Sequence, residues 1–355
     1  MADVNREVYP ERTVNEVVGL AREWVEKNYL GTKGFVGAHL VGSINHTPGE
    51  ALFPLYRDVD IAIVLEGIDY QEIREVSHQG YILECILSGA GRYDGAKKIL
   101  AEPGMACNLE VDSVLVDPTG KLEKLHREVA LDYNKRSFVR LRVEQAEKDA
   151  KENLEKMTGA ANALEFVFYL GNFIMHCTAM TTLAHLEPPT HRRGLLNLKP
   201  MLLADGQEAL YERYLQMFGS ARLDAAAARL FVEEAAGAFD RALEIKKSPV
   251  PYEWKLDPCI RPYLVEGSLE MIEEGGHREA IFWIALFFMI SNGVIQQDGN
   301  AEEKVNYLAQ TGGFLQALGL GSAEELAQRS KECSLFLEDL QAYNRELIAS
   351  SARLR

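Results

Sequence analysis

Cysteine is scarce in this sequence of 355 residues and never occurs in a metal-binding spacing. No two cysteines form a C-x-x-C pair, the spacing typical of zinc ribbons and redox motifs. Their scattered positions also argue against the paired framework of a small disulfide-stabilised fold. We therefore expect neither a structural zinc ion nor disulfides. The five cysteines are Cys85, Cys107, Cys177, Cys259 and Cys333.

The sequence has no hydrophobic run long enough to predict a membrane span. Its most apolar stretch, residues 280–290, is followed by Ser291, Asn292 and Gly293, whereas a spanning helix needs about 20 apolar residues. We interpret this stretch as a buried core helix. Residues 1–13 are polar and charged, unlike a secretory signal peptide. We therefore expect no membrane partner and a cytoplasmic location.

Positive charge is scarce as well. The chain has 38 lysines and arginines against 53 aspartates and glutamates, a formal net charge of -15. A protein that binds duplex nucleic acid usually presents a basic face, so the balance argues against a nucleic acid partner. It suits a small-molecule substrate, and a cationic one slightly better. The hydrophobic fraction of 47% is typical of a globular chain with a core.

Strand signals are confined to the first third of the chain. Apolar or β-branched runs predict strands at 34–41, 58–65, 81–88 and 113–116. Helical spacing of apolar residues predicts helices at 13–27, 70–79 and 95–101. The sequence therefore predicts a domain of strands and helices over residues 1–134.

From residue 121 onwards long helical patterns follow and strand signals almost vanish. The predicted helices are 121–158, 160–186, 206–218, 224–246, 260–274, 277–296, 301–318 and 323–353. The proline-rich segment 246–258 marks a boundary within this region. We predict a helical bundle domain over 135–250 and an additional helical segment, packing on the bundle, over 251–355.

Two aspartates two residues apart open the most β-branched strand. Side chains on a strand alternate between its faces, so Asp58 and Asp60 point the same way, while Val59 and Ile61 point into a core. Adjacent carboxylates repel each other. A divalent cation removes this cost, and Mg²⁺ prefers one or two carboxylates together with phosphates and waters. The pair therefore predicts a metal site.

A third acid is needed to complete such a site. Glu84 stands between Ile82 and Ile86 on one face of an apolar strand, where an acid without a partner is costly. Glu110 and Asp112 are rival candidates. We prefer Glu84 because its strand is the more apolar of the two.

Gly42 and Ser43 follow a strand and come shortly before the aspartates. A glycine at such a turn lets backbone N–H groups approach an anion, and the serine hydroxyl adds a donor. A Gly-Ser pair alone has no meaning. Its position between a strand and the aspartate strand predicts a phosphate-binding turn.

Gly42-Ser43, then Asp58-Val59-Asp60 opening an apolar strand, and then Glu84 on a later strand resemble the DNA polymerase β-like nucleotidyltransferase superfamily. Within it the chain is similar to the bacterial aminoglycoside (antibiotic) nucleotidyltransferases, in which such a domain precedes a helical domain. The resemblance covers residues 13–134 by motif. It implies an α+β fold: an N-terminal polymerase β-like palm, with a mixed sheet and flanking helices, followed by an all-helical C-terminal region.

The resemblance also implies residue roles. Asp58, Asp60 and Glu84 would be the catalytic residues and would bind two Mg²⁺ ions. Gly42 and Ser43 would hold the triphosphate of the co-substrate, ATP or another nucleoside triphosphate.

Arginines at two places in the sequence are further candidates for triphosphate binding. Arg57 stands directly before the first aspartate, where the family commonly has a serine, and the loop between Ser43 and Asp58 is longer than is usual in the family. Arg192 and Arg193 follow two prolines in a predicted loop. Guanidinium groups in an acidic protein can clamp a phosphate, and the equal alternative is a solvated loop charge.

The function implied is magnesium-dependent transfer of AMP, or another nucleoside monophosphate, to a hydroxyl of a small molecule with release of pyrophosphate. An aminoglycoside-like antibiotic is the acceptor that the family suggests. The alternative is a nucleotide-binding sensor or regulatory module with the same fold and a protein-binding helical domain. The oligomeric state, including a homodimer, stays open.

The helical region offers weaker candidates. Glu144 with Lys148, and Glu147 with Lys151, are four residues apart on a predicted helix. One of these glutamates could be a general base for the acceptor hydroxyl, but we favour ordinary surface ion pairs. His176 lies on an apolar helix, where a core histidine is the expected interpretation.

Overall fold

A computed structural model of the chain describes residues 9–69, 71–249 and 255–355. The fold is α+β, as the sequence predicts: a mixed sheet with helices is followed by a helical region. The described residues group into two compact units. The first contains the residues up to Leu100 together with Gly104–Tyr133, and the second contains Ala101–Pro103 together with Asn134–Arg355.

A mixed five-stranded sheet forms the centre of the first unit. The strands of this unit are β1 (Arg12–Thr13), β2 (Phe35–Val41), β3 (Leu52–Phe53), β4 (Asp58–Leu65), β5 (Gln71–His78), β6 (Tyr81–Gly89) and β7 (Val114–Val116). Five of them follow the order β5-β6-β4-β2-β7, while β1 pairs with β3. β4 and β6 run parallel, and the other pairs are antiparallel. All four predicted strands are present.

One face of this sheet is apolar and packs with the first helix, α1 (Val14–Tyr29). Burial of this face follows from the alternation of the strands, because every second side chain of β4 points into the core. The helix starts with a capping box in which Thr13 and Glu16 satisfy each other's backbone N–H groups. The core side chains include Val17, Ala21, Val25, Ala38, Leu40, Val59, Ile61, Ile63, Leu83, Cys85 and Leu87.

The predicted helix at 70–79 is wrong, since the described part of this segment is strand β5. It forms a hairpin with β6, and both residues of the connecting turn have positive φ: 48° at Gln79 and 85° at Gly80. Two positive values are the signature of a type I′ turn, whose twist matches that of paired strands. The polar segment matches helical spacing, but pairing with the apolar strand β6 overrides this weak local preference.

Three α-helices and two short 3₁₀ helices complete the first unit. They are the 3₁₀ helices Gly42–His46 and Ala90–Tyr93 and the helices α2 (Ala96–Ala101), α3 (Pro103–Leu109) and α4 (Lys121–Asp132). α2 lies within the predicted 95–101. α3 has no counterpart among the predicted helices, because its seven residues are too few to display a helical period.

The second unit is helical. Its helices are α5 (Arg136–Thr158), α6 (Ala163–Ala184), α7 (Gly194–Ala204), α8 (Glu208–Phe218), α9 (Ala225–Ile245), α10 (Arg261–Glu273), α11 (His277–Asp298), α12 (Ala301–Ala317) and α13 (Ala323–Ser350), with a 3₁₀ turn at Pro258–Ile260. α7 was not predicted. Of the predicted boundary at 246–258, residues 250–254 lie outside the described residues. α9, before it, packs against α10 and α11, after it.

The single helix predicted over 121–158 is two helices, α4 and α5. The helix is interrupted between them, where the backbone forms hydrogen bonds with Arg355 instead of continuing the helical pattern. The Arg355 N–H donates to the Asn134 carbonyl (3.1 Å), and the Arg355 carbonyl accepts from the Arg136 N–H (2.8 Å). These long-range bonds cannot be read from local sequence.

Two of the described helices, α6 and α11, are long and apolar enough to cross a membrane by length and composition alone. Their most apolar windows have mean hydropathies of 1.2 and 1.5, and 67% and 72% of the residues in these windows are buried inside the protein. Helices that are hydrophobic on all sides are also found in the cores of large proteins. α11 contains the run 280–290.

We expect alanine to be much less tolerated at Gly219 than at Gly206. Both glycines follow a helix with positive φ, 88° and 67°, so alanine costs about 1 to 2 kcal/mol at either position. At Gly219 a Cβ would also collide with the Leu318 carbonyl, whereas at Gly206 it would meet open space. Overpacking adds about 1 to 3 kcal/mol. Urea unfolding of the two variants measures the difference, and equal midpoints would contradict the predicted collision.

Candidate functional site

Two carboxylates start strand β4 on the face of the sheet opposite the core. Asp58 and Asp60 are both half-buried, while Val59 between them is fully buried in the core. This is the alternation that the sequence predicts. The strand therefore anchors the two acids from behind and presents both to the same side.

Glu84 joins them from the neighbouring strand β6. The parallel pairing of β4 with β6 places Asp60 opposite Glu84 and Asp58 opposite Ile82, and paired residues share a face of the sheet. One carboxylate oxygen from each acid lies within 4.8 Å of those of the other two. The acid group found among the described residues thus contains Glu84. Its rivals lie between α3 and β7, Glu110 half-buried and Asp112 exposed.

The spacing of these oxygens suits Mg²⁺. Oxygen ligands of one octahedral Mg²⁺ lie about 3 Å apart when adjacent and about 4.2 Å apart when opposite. Side chains whose oxygens all lie within 4.8 Å of one another are therefore near enough to converge on one ion by rotating toward it. All three donors are hard carboxylate oxygens, which Mg²⁺ and Mn²⁺ prefer. No cysteine or histidine belongs to the group. The donor set therefore fits a divalent cation that takes oxygen ligands.

The Gly42 turn passes directly beside Asp60. Val41, the last residue of β2, is the register partner of Asp60, and Gly42 begins the 3₁₀ helix with a φ of 76°. A Cβ on Gly42 would lie 2.5 Å from Asp60 Oδ2. Glycine is therefore required both by the positive φ and by the nearby carboxylate. Ser43, next in the turn, is exposed to solvent.

The Gly42 N–H does not point to solvent. It donates to the side-chain oxygen of Asn108 at 2.9 Å, so this amide is already used within the protein. The exposed Ser43 hydroxyl is a further donor of the turn, and the role of Gly42 and Ser43 in triphosphate binding stays a prediction. Asn108 was not predicted, because it lies in the short helix α3 and no sequence motif marks it.

The two predicted arginines lie in different units. Arg57 is half-buried in the turn that precedes β4, where its N–H donates to the Pro54 carbonyl (3.0 Å). Arg192 is buried in the second unit. Its guanidinium lies 4.0 Å from the ring centroid of Tyr263 and donates to the Tyr263 carbonyl (3.2 Å). These contacts give Arg192 a packing role among helices rather than that of a solvated loop charge.

A further acid lies on the edge strand β5. Glu75 is the register partner of Glu84, so Asp60, Glu84 and Glu75 form a row across three strands on one face. Burial, followed by Glu75 and Glu84, raises the pKa of the Cys85 thiol to about 12. Glu75 was not predicted because its segment was interpreted as a helix. The Gln79-Gly80 turn between two short runs was the signal that could have indicated the hairpin.

A buried histidine stands behind the acids on the same face of the sheet. His39 pairs with Ala62, two residue pairs further along than Val41 with Asp60, so it lies on the same face. Burial lowers the pKa of His39 to about 4, so the ring is neutral near pH 7. Its Nδ1 donates to the Leu40 carbonyl (2.9 Å), which can only accept, and its Nε2 therefore accepts from the Tyr93 hydroxyl (3.0 Å).

The weaker candidates of the helical region are a surface ion pair and a partly buried histidine. Lys151 pairs with Glu147 one turn away, and both side chains are partly exposed, as expected for a surface ion pair. His176 is half-buried on α6, and burial lowers its pKa, opposed by Asp149 and Glu152.

Comparison with known proteins gives little beyond this geometry. No protein-family model matches the chain, and a search of curated proteins finds no relative. Among solved structures, the chain is similar to a nucleotidyltransferase-like protein from Exiguobacterium sibiricum 255-15. The two are 9% identical with a TM-score of 0.31, over 85% of this chain and 89% of that chain. A similarity this low assigns no activity to the chain.

We expect His39 to destabilise the first unit as the pH falls from about 6.5 to about 4. The unfolded imidazole takes up a proton below about pH 6.5, whereas the folded one stays neutral down to about pH 4. Since the unfolded state binds more protons in this window, stability falls with falling pH. The loss is about 3 kcal/mol, at about 1.4 kcal/mol per pKa unit.

The measurement is urea unfolding at several pH values for the wild type and His39→Gln, which cannot titrate. The other histidines are present in both proteins, so the difference between the two profiles belongs to His39. The wild type should lose more stability than the variant between pH 7 and pH 4. Parallel profiles would show that His39 does not fold as a neutral ring.

Proposed function

We propose that this chain is a magnesium-dependent nucleotidyltransferase. It transfers AMP, or another nucleoside monophosphate, from a nucleoside triphosphate to a hydroxyl of a small molecule and releases pyrophosphate. One observation carries the proposal: oxygens of Asp58, Asp60 and Glu84 converge within 4.8 Å on one side of the sheet. Three like charges held this close favour a bound cation.

In such a transfer the acceptor oxygen forms a bond to the α-phosphorus while the bond from that phosphorus to the bridging oxygen breaks. Pyrophosphate leaves, and the proton of the acceptor passes to a base or to solvent. Bound Mg²⁺ would lower the pKa of the acceptor hydroxyl and neutralise the charge that develops on pyrophosphate. Asp58, Asp60 and Glu84 would hold the ions, and β4 and β6 would fix their positions.

The triphosphate end of the proposed site would be the Gly42 turn. Gly42 leaves space beside Asp60, and the exposed Ser43 supplies a hydroxyl donor. Arg57, in the turn directly before β4, adds a positive charge next to the first aspartate in sequence. The Arg192 guanidinium contacts the ring and the carbonyl of Tyr263, so the proposal does not depend on it.

The acceptor is proposed to be a small molecule that carries a hydroxyl and positive charge. The net charge of -15 and the row of acids that continues to Glu75 would attract a cation and repel a polyanion such as nucleic acid. An aminoglycoside-like compound has this chemistry. The finer identification rests on the motif resemblance.

The proposal is tested with Asp60→Asn, which removes one ligand charge and keeps the shape of the side chain. Asp69→Asn is the matched control, because Asp69 is exposed in a loop of the same unit. Mn²⁺ binding is followed by electron paramagnetic resonance and ATP binding by calorimetry with and without metal. We expect Asp60→Asn to weaken Mn²⁺ binding about 100-fold and Asp69→Asn to leave it unchanged.

Pyrophosphate release with a panel of amino-sugar and polyol acceptors then separates the two functions. Turnover in the wild type that is lost in Asp60→Asn supports the transferase. Metal-dependent ATP binding without turnover on any acceptor favours the nucleotide sensor. Equal Mn²⁺ binding by the wild type and Asp60→Asn would remove the metal site and the proposal with it.

A further inference from the structure

Asn108 is the buried polar side chain that holds the Gly42 turn. It lies in helix α3 and is only 4% exposed. Its Oδ1 accepts from the Gly42 N–H at 2.9 Å and from the Asn45 Nδ2 at 3.3 Å, and its own Nδ2 donates to the Gly104 carbonyl at 2.5 Å. All polar atoms of the side chain are thus in use. The orientation of the side-chain amide is fixed because its oxygen accepts from a backbone N–H and its nitrogen donates to a backbone carbonyl.

Asn45 ties the same group to the end of strand β2. Its Nδ2 also donates to the Leu40 carbonyl at 3.1 Å. The same carbonyl accepts from His39. The 3₁₀ helix from Gly42 to His46 is therefore fastened at its first residue by α3 and at its fourth residue by both α3 and β2.

Removing this anchor would free the turn. A buried N–H that loses its acceptor carries a desolvation cost, and the backbone relieves it by rotating toward water. Gly42 has the conformational freedom to rotate. Its φ is 76°, and it lies so near Asp60 that a Cβ built on it would be 2.5 Å from Asp60 Oδ2. A rotation would move the following residue, Ser43, relative to the acids without moving the acids, which are held by β4 and β6.

We propose that Asn108 is a positioning residue for triphosphate binding: it holds the Gly42 amide and so fixes Ser43 beside the carboxylates. The inference rests on the proposed nucleotidyl transfer. Loss of Asn108 should therefore weaken nucleotide binding, while the acids keep their affinity for metal.

The test compares Asn108→Leu, which keeps the branched shape of the side chain but has no polar side-chain atoms, with Val129→Ala. Val129 is fully buried in α4 of the same unit, so its truncation lowers stability without touching the turn. The probes are Mn²⁺ alone and ATP in the presence of Mn²⁺. We expect Asn108→Leu to bind ATP about 10-fold more weakly and to bind Mn²⁺ alone as the wild type does. Val129→Ala should retain both affinities.

The outcomes separate this inference from the function beneath it. Wild-type affinity for ATP in Asn108→Leu overturns the positioning role while the metal site stands. Loss of ATP binding by Val129→Ala as well would assign the effect to stability and also overturn it. If the wild type itself binds neither Mn²⁺ nor ATP, the proposed function fails and the inference fails with it.

A measurement on the unmodified protein keeps the claim testable even if Asn108→Leu does not fold. Amide hydrogen exchange by nuclear magnetic resonance reports on the Gly42 N–H directly. Bonded to a buried acceptor, this N–H should exchange at least about 100-fold more slowly than an exposed amide. Exchange of Gly42 at the rate of an open loop would overturn the anchor.

Discussion

Register between two parallel strands is the constraint on which the candidate site depends. Asp60 and Glu84 meet because β4 and β6 pair residue for residue, and a slip of one residue would turn Glu84 into the core and Cys85 out of it. The apolar side chains on the opposite face resist that slip, since Ile61 and Cys85 are fully buried there. Burial of the core side chains therefore offsets the repulsion between the carboxylates and fixes their positions.

The remaining parts of the site are arranged around this pair of strands. β2 lies on the other side of β4 and ends beside Asp60, which places the Gly42 turn where only a residue without a side chain fits. Behind it, the neutral His39 and Tyr93 fill the same face of the sheet with a satisfied hydrogen bond. A charged ring at that position would change the field around the acids, and burial keeps it neutral.

Features that depend on local sequence patterns were predicted correctly. The α+β class is confirmed, and the alternation in β4 correctly placed Asp58 and Asp60 on one face. Glu84 was identified from its misfit with an apolar strand, and the structure brings it to the same place. The metal and nucleotide roles of these residues stay predictions.

What the sequence could not give depends on partners far along the chain. Gln71–His78 is a strand because β6 is beside it, and Glu75 was missed with it. Asn108 is 66 residues from the Gly42 amide that it accepts from. The sequence around Arg192 indicates a loop cation, but Tyr263 from helix α10 packs against its guanidinium. In each case the deciding contact is tertiary, so no local window contains it.

The edge position of β5 has a consequence for handling the protein. Within the described sheet this strand pairs with β6 alone, and an edge strand can template pairing with another molecule. β5 carries Glu72 and Arg74, an exposed ion pair at 2.7 Å, and such charges discourage intermolecular pairing. Acidic buffers that protonate the glutamates would weaken this protection, so aggregation on acidification should start at this edge.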